Sequence, residues 1–534
     1  MRKRIVSLLL VFGVTTALAG SAQAAPGDLD PSFGSGGVVT TDFGGRGDFG
    51  LAVAVQTDGK IVTAGNSSAV GVFSVAFALS RHNPNGALDT TFGSGGKVLT
   101  SFGGSLSAAA DVAVQPDGKI VAVGIANGDF GVARYNGDGS LDSAFGSGGL
   151  VTTDFGGFDQ ANGVALQSDG KIVVVGPLQG SLGVARYNAD GSLDSSFGSG
   201  GKVITDATPS FDGAFDVAVT SSNKIVVGGG TGSFPFGASD FLIVRYNADG
   251  SLDGGFGSGG LVTTDFGASD TAFAIALAAD GKVVAAGGTK SSSPGDFALA
   301  RYNADGSADA SFGTGGKVTT DFSSDSDDTG NGLVIQPDGR ITVAGITSPG
   351  SGTSFAVVRY TSAGALDTDF GAGGKKSASF GNPINNAFDI AAQADGKVVV
   401  AGGTADFSRG ISDFALARFL GAPTTLTVSI DVKTESPDNV IPLQAGGVIP
   451  VAILTTDAFN AASVDAATVC FVQDCTEKHG TGHLEDVNGD GRPDMLLHYE
   501  TQETGIASGD TQACLTGKTT AGVAIQGCDR IVTR

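Results

Sequence analysis

Along most of the chain, apolar residues alternate with polar or small ones in short runs that stop at Asp-Gly, Gly-Gly or Asn-x-Asp-Gly. Runs of period two between glycine turns predict short, half-buried antiparallel strands. One unit reads as four of them: Ala52 to Gln56, Lys60 to Ala64, Val75 to Arg81 and Gly95 to Ser101. The turn between the first two, as in Asp58-Gly59, Asp117-Gly118 and Asp395-Gly396, is a hairpin signal because its second residue readily takes positive φ; the fourth unit has Ser222-Asn223 instead. Helical periodicity is nearly absent from residues 25 to 422.

The unit recurs. A pattern close to Leu-Asp-x-x-Phe-Gly-x-Gly-Gly appears seven times, with its phenylalanines at Phe33, Phe92, Phe145, Phe197, Phe256, Phe312 and Phe370, 52 to 59 residues apart. That period is too long for most helical solenoids and for one coil of a β-helix, and slightly above the ~50 residues of a kelch blade. Four short antiparallel strands per repeat make one propeller blade. A parallel β-helix is the alternative, but its coils do not need seven hairpin turns at one phase. The phase is informative: the chain reaches its first Gly-Gly-Val-Val-Thr-Thr strand (Gly36 to Thr41) ahead of any complete unit, and the seventh unit stops after Phe414 to Phe419 without that strand. Residues 36 to 42 are therefore predicted to pair with residues 413 to 419, closing a ring of seven blades and removing two open edges.

With its Leu-Asp-x-x-Phe-Gly-x-Gly-Gly, Pro-Asp-Gly-Lys-Ile and Ala-Arg-Tyr-Asn-x-Asp-Gly-Ser units, residues 25 to 422 resemble the bacterial delta-60 repeat family. The resemblance implies a β-propeller and an exported bacterial protein; it implies no activity.

Residues that recur once per blade are expected to hold the blade. Arg81, Arg134, Arg186, Arg245, Arg301, Arg359 and Arg418 are predicted to pair with carboxylates or carbonyls within or between blades, a geometry that suits the guanidinium fork. Function is expected where blades differ, in the loops after the Ile-Val strand and before the Ala-Val strand, which should share one face. Candidate ligand-binding residues there are Phe234 and Phe236 in blade four, Phe407 and Arg409 in blade seven, and the acidic Asp325, Asp327 and Asp328 of blade six. A Gly-x-Ser-x-Gly elbow, a His-Glu-x-x-His helix and a phosphate-cradling loop are all missing, and His82 is the one histidine of the repeats, in the place of the usual Tyr.

The repeat ends at Gly421-Ala422-Pro423, and residues 423 to 534 read as a separate β-sandwich-like domain with alternating runs at Leu426 to Val432 and Val448 to Leu454. Parts of it resemble a C-terminal module of exported bacterial proteins. Its sharpest motif is Asp486-x-Asn488-x-Asp490-Gly491-Arg492-x-Asp494. Oxygen donors at alternate positions of a Gly-bent loop converge on a hard cation, so Asp486, Asn488, Asp490, the Arg492 carbonyl and Asp494 are candidate ligands of a structural calcium ion. Position twelve is Leu497 where an EF-hand has Glu, so the loop looks more like those of dockerin or integrin-type repeats. All four cysteines lie here; Cys470 with Cys475 and Cys514 with Cys528 are the preferred disulfides, and a zinc site from Cys470, Cys475, His479 and His483 is the alternative.

Charge narrows the partners. Lys and Arg number 31 against 54 Asp and Glu, a net charge of −23 that argues against nucleic acid and against an anionic membrane. Arg2, Lys3 and Arg4, the apolar Ile5 to Leu18 and Ala22-Gln23-Ala24 form a secretory signal peptide over residues 1 to 24, with no membrane span left after cleavage. The sequence thus predicts an all-β, exported binding or surface-interaction protein with a glycan or protein ligand. A hydrolase or lyase acting on polysaccharide at the propeller mouth is the alternative.

Overall fold

The computed structural model describes residues 25–534 apart from 46, 69–74, 209–211, 233–238, 268, 291–293, 325, 422–424, 435–437, 445–446, 457–458, 479–481 and 521–523. Among the described residues the chain is all-β, with seven four-stranded antiparallel sheets in the repeat region and no α-helix. Blade one consists of Phe49–Val55, Ile61–Ser68, Val75–His82 and Lys97–Thr100, in that order across the sheet. Blades two to six repeat this order. At the hairpin between the first two strands Gly59 has φ 80°, and in blade four Asn223 supplies the same conformation at φ 59°.

Blade seven is completed from the other end of the repeats. Strand Val38–Thr41 pairs with Ile411–Phe419 in the register Val38 with Ala417 through Thr41 with Phe414. The first strands of successive blades contact one another around the whole circle, including the first strand of blade seven against that of blade one. Three of these inner strands carry an aspartate that ties one blade to the next. Asp111 accepts the Val164 N–H at 2.7 Å, Asp216 the Ile275 N–H at 2.7 Å and Asp389 the Val53 N–H at 2.8 Å, and each also accepts the N–H of its own successor. Burial pushes the Asp389 carboxyl up to about 7 and that of Asp216 up to about 6.

The three sequence landmarks meet at one point in every blade. In blade one Arg81 Nε donates to Asp89 at 2.8 Å, and Lys60 of the Asp-Gly-Lys turn reaches the same carboxylate oxygen at 3.3 Å. The guanidinium lies 4.6 Å above the Phe92 ring, and its Nη1 donates to the Gly137 carbonyl of blade two at 2.5 Å. Arg134, Arg186, Arg245, Arg301, Arg359 and Arg418 repeat the pairing with Asp142, Asp194, Asp253, Asp309, Asp367 and Asp30. The arginines therefore lock blades, as expected, and His82 takes the tyrosine's place by bonding Thr41 Oγ1 at 3.0 Å.

Beyond the repeats, two four-stranded sheets follow: Thr425–Thr427, Ala524–Arg530, Gln512–Thr519 and Val464–Phe471 in one, Ile430–Val432, Val448–Ile453, Asp494–Glu500 and His483–Glu485 in the other. The predicted single strand from Leu426 to Val432 is two strands, because the chain crosses from one sheet to the other at Val428 and Ser429, whose N–H and C=O bond Gln526 and Leu454. Side chains from both sheets, among them Val451, Leu497, Phe471, Leu515 and Ile525, form one buried cluster. The cysteines form the disulfides Cys470–Cys475 and Cys514–Cys528, which takes both thiols away from the alternative zinc site; His479 lies outside the described residues.

Candidate functional site

Loops on the face opposite the Asp-Gly hairpins differ most between blades. The two variable sets do share a face, because they hydrogen-bond to each other at the junctions: Asn127 N–H to Leu106 C=O, Asp159 to Gly128, Asp212 to Gly180, Asp328 to Gly295 and Thr353 to Pro383. Of the residues singled out by sequence, Phe407 is 63% exposed, with its ring centroid 6.5 Å from that of Phe49, and Arg409 is exposed beside it in a turn capped by Asp406. Asp327 is exposed and accepts the Gly295 N–H at 2.9 Å. Phe234, Phe236 and Asp325 lie outside the described residues. Asp328 is buried, and it belongs to a larger pattern that the sequence reading missed.

Three positions recur at the blade junctions: the residue after an outer strand, a residue within four of the start of the next inner strand, and the residue before the first phenylalanine or leucine of a third strand. At four junctions all three are aspartates: Asp42, Asp48 and Asp413; Asp129, Asp154 and Asp159; Asp240, Asp265 and Asp270; Asp296, Asp321 and Asp328. In each triad, one oxygen per carboxylate lies within 4.8 Å of the others. One member is exposed and one is buried. Burial and the neighbouring carboxylates raise Asp240, Asp296 and Asp413 above the ordinary carboxylate range. The residues that follow two of the aspartates pair as aromatic rings, as Phe43 does with Phe414 at 4.8 Å between centroids.

The other three junctions change these positions together. They hold Ala76, Ser101 and Ser107; Ser181, Asp206 and Asp212; and Ser354, Ser379 and Asn385. A lysine follows the same division. Lys97, Lys202, Lys317 and Lys375 donate to the backbone carbonyls of Asp42, Asp154, Asp265 and Asp321 at 2.9, 3.0, 2.9 and 2.5 Å. At the other junctions the equivalent residues are Leu150, Leu261 and Val38. An aspartate after Val-x-Thr, another before the inner strand and a third before Phe were all visible in the sequence; only the blade register shows that they converge.

In the C-terminal loop, Asp486 accepts the N–H groups of Gly489, Asp490 and Gly491, and Asp490 is paired with the Arg492 side chain at 2.9 Å. Asp494 is buried and accepts from Thr455 and Val487. Every candidate ligand atom of this set is an oxygen, the donor type a hard cation takes, with Asp486 already accepting three amides and Asp494 two.

Seven stretches of the chain, residues 56–92, 115–145, 167–197, 220–256, 278–312, 336–370 and 393–421, match a family described as a domain of unknown function (DUF5122) beta-propeller. Comparison with curated proteins finds no match. Among solved structures, virginiamycin B lyase from Staphylococcus aureus is 9% identical with a TM-score of 0.42, covering 71% of this chain and 98% of its own. The polysaccharide lyase Uly1 is 12% identical at 0.41, covering 70% and 90%. Drosophila Plexin A, in complex with Semaphorin 1b, is 9% identical at 0.42, covering 74% and 88%. Likeness at this level passes no activity to the chain. Among the described residues no helix is long and apolar enough to cross a membrane.

Proposed function

We propose that this β-propeller repeat protein is an exported bacterial binding module of the delta-60 type, which engages a glycan or protein ligand through its loop face. The observation that carries the reading is the contrast between the two faces. All seven blades spend the same Arg–Asp pair on the hairpin side, whereas the loop side varies from blade to blade and exposes Phe407 at 63%. Export through a signal peptide cleaved after Ala24 is supported by two disulfides, which persist where thiols meet oxidant. The C-terminal residues 423 to 534 act in this reading as a β-sandwich-like module, with the Asp486-to-Asp494 loop holding a structural calcium ion. A rise in melting temperature on adding calcium that is smaller in Asp490→Ala than in the natural chain would support the loop site; the same rise in both, or no shift at millimolar calcium, contradicts it.

A glycan-array screen with the purified full chain, followed by assay of every retained glycan for cleavage, tests the binding role. Retention without cleavage, weakened by Phe407→Ala, is the expected result. Cleavage of the retained glycan would replace this reading by that of a polysaccharide hydrolase or lyase.

A further inference from the structure

The four aspartate triads are built differently from the rest of the junction. At all seven junctions the side chain at the start of the inner strand accepts the N–H of the second residue after the outer strand. Phe43 donates to Asp48 at 2.9 Å, Phe155 to Asp159 at 2.7 Å, Phe266 to Asp270 at 2.5 Å and Phe322 to Asp328 at 2.8 Å. Phe102 donates to Ser107, Ala207 to Asp212 and Phe380 to Asn385. That bond is structural, and a serine or an asparagine makes it as well as an aspartate does. It gives no reason for the second carboxylate oxygen.

The fate of the second atom differs from junction to junction, and in one triad protein already meets it, since the Ser326 hydroxyl donates to Asp328 Oδ1 at 2.8 Å. Asn385 turns its amide to the carbonyls of Asn382 and Thr353, at 2.8 and 3.0 Å. Asp212, whose third-strand neighbour is Ser181, receives the Thr208 hydroxyl on its second oxygen at 2.8 Å. In two of the triads no such donor is found among the described residues. Asp48 and Asp270 are fully buried, and Oδ1 of each has no hydrogen-bond partner although the carboxylate faces two other aspartates. Leaving a buried anionic oxygen unpaired is costly, and a carboxylate trio multiplies the cost.

We propose that each of the four triads binds one divalent cation, with calcium the ion that its oxygen-only ligands fit, so that the loop face carries four metal ions. The spacing agrees. Two oxygens bound to one calcium at about 2.4 Å lie at most about 4.8 Å apart, the separation within which each triad falls. The charge agrees too: three carboxylates with one lysine ammonium close by leave two negative charges. The exposed member of each triad, such as Asp42 or Asp154, gives the ion a path from solvent and leaves room for water ligands. At the three junctions without a triad, the carboxylates are replaced in part or whole by neutral groups, the lysine is replaced by Leu or Val, and the second atom where present is satisfied by protein.

Counting bound calcium on the chelator-stripped full chain tests this, by equilibrium dialysis or titration calorimetry, in three proteins: the natural chain, Asp490→Ala, and the quadruple variant D48N/D159N/D270N/D328N. Asn385 shows that an amide is accommodated at this position. Asp490→Ala is expected to keep about four equivalents, and the quadruple variant to lose about four relative to the natural chain. Should the quadruple variant not fold, each single substitution is expected to lower the count by about one. No calcium bound by Asp490→Ala, or the same count in the natural chain and in folded substituted proteins, overturns the proposal, and neither result depends on whether the C-terminal loop binds.

Discussion

Asp48 and Asn385 occupy the same place in consecutive junctions of the ring, and each accepts the N–H of a phenylalanine, Phe43 at 2.9 Å and Phe380 at 3.2 Å. The amide of Asn385 then donates to two backbone carbonyls, while Oδ1 of Asp48, in a carboxylate grouped with two other aspartates, has no hydrogen-bond partner among the described residues. One half of the side chain holds the junction, and the other half is free to hold a ligand.

Asp48→Asn should therefore separate the two roles. In chelator the variant is expected to be more stable than the natural chain, by about 1 kcal/mol, the scale of one unit of pKa perturbation, because Asp42 and Asp413 lose a like-charged neighbour. In millimolar calcium the order should reverse. Thermal unfolding in the two buffers measures both, and the same order in both would contradict the assignment.

Removing a locking arginine should act differently, since its effect is on packing and not on a ligand. Arg81→Ala leaves Asp89 buried without its fork, strips the Phe92 ring and unties the Gly137 carbonyl of the next blade. Breaking a buried pair by removing one partner costs about 3–5 kcal/mol, and Arg81→Lys should recover little of it because an ammonium cannot make the same set of bonds. Denaturant unfolding with and without calcium is the check; a loss under about 1 kcal/mol would mean that the pair is effectively solvated.

The ring of inner aspartates makes stability depend on pH. Burial raises Asp389 from 3.8 to about 7, in an arc that also contains Asp111 and Asp216. A carboxyl raised in the folded state binds its proton more tightly there than when unfolded, so its contribution is present below about pH 4 and is lost as pH rises to about 7. Asp389→Asn sacrifices one of two backbone bonds at every pH, so it should be the less stable protein at pH 4, and its deficit should narrow as pH rises to 7 and then level. A deficit constant across that range would show that Asp389 is ionised throughout.

Ring closure predicts the behaviour of a truncated chain. Without residues 25–42, the strand Ile411–Phe419 is an open edge, and Arg418 loses both Asp30 and the Phe33 ring. Such a protein should self-associate and unfold over a broader denaturant range than the chain that keeps these residues. A monomer with the same cooperativity by size-exclusion chromatography and denaturation would contradict closure.

Much of the fold was legible because each device has a local signature. Asp-Gly marks the hairpins, period two marks the strands, and the mismatch of phase between Gly36 and Phe419 marks the closure. The Arg-to-Asp spacing was legible as structure, but Lys60 joining the same Asp89 oxygen was not, because the hairpin and the Leu-Asp turn meet only through strand pairing. The triads were hidden for the same reason. Asp413 lies more than 360 residues from Asp42 and Asp48 in sequence, and the three meet only where blade seven closes against blade one. Only Asp328, from the blade-six acidic run, was visible as a candidate, and its partners Asp296 and Asp321 come from other strands. The loop aromatics illustrate the converse: Phe407 is where composition placed it, exposed, yet its neighbour Phe49 comes from the adjoining blade.

The most direct test is a crystal structure of the protein grown in millimolar calcium, with anomalous scattering used to locate the ions. The account predicts peaks at the junctions of Asp48, Asp159, Asp270 and Asp328 and none at those of Ser107, Asp212 and Asn385. Triads without metal, or ions at the three substituted junctions, would contradict it.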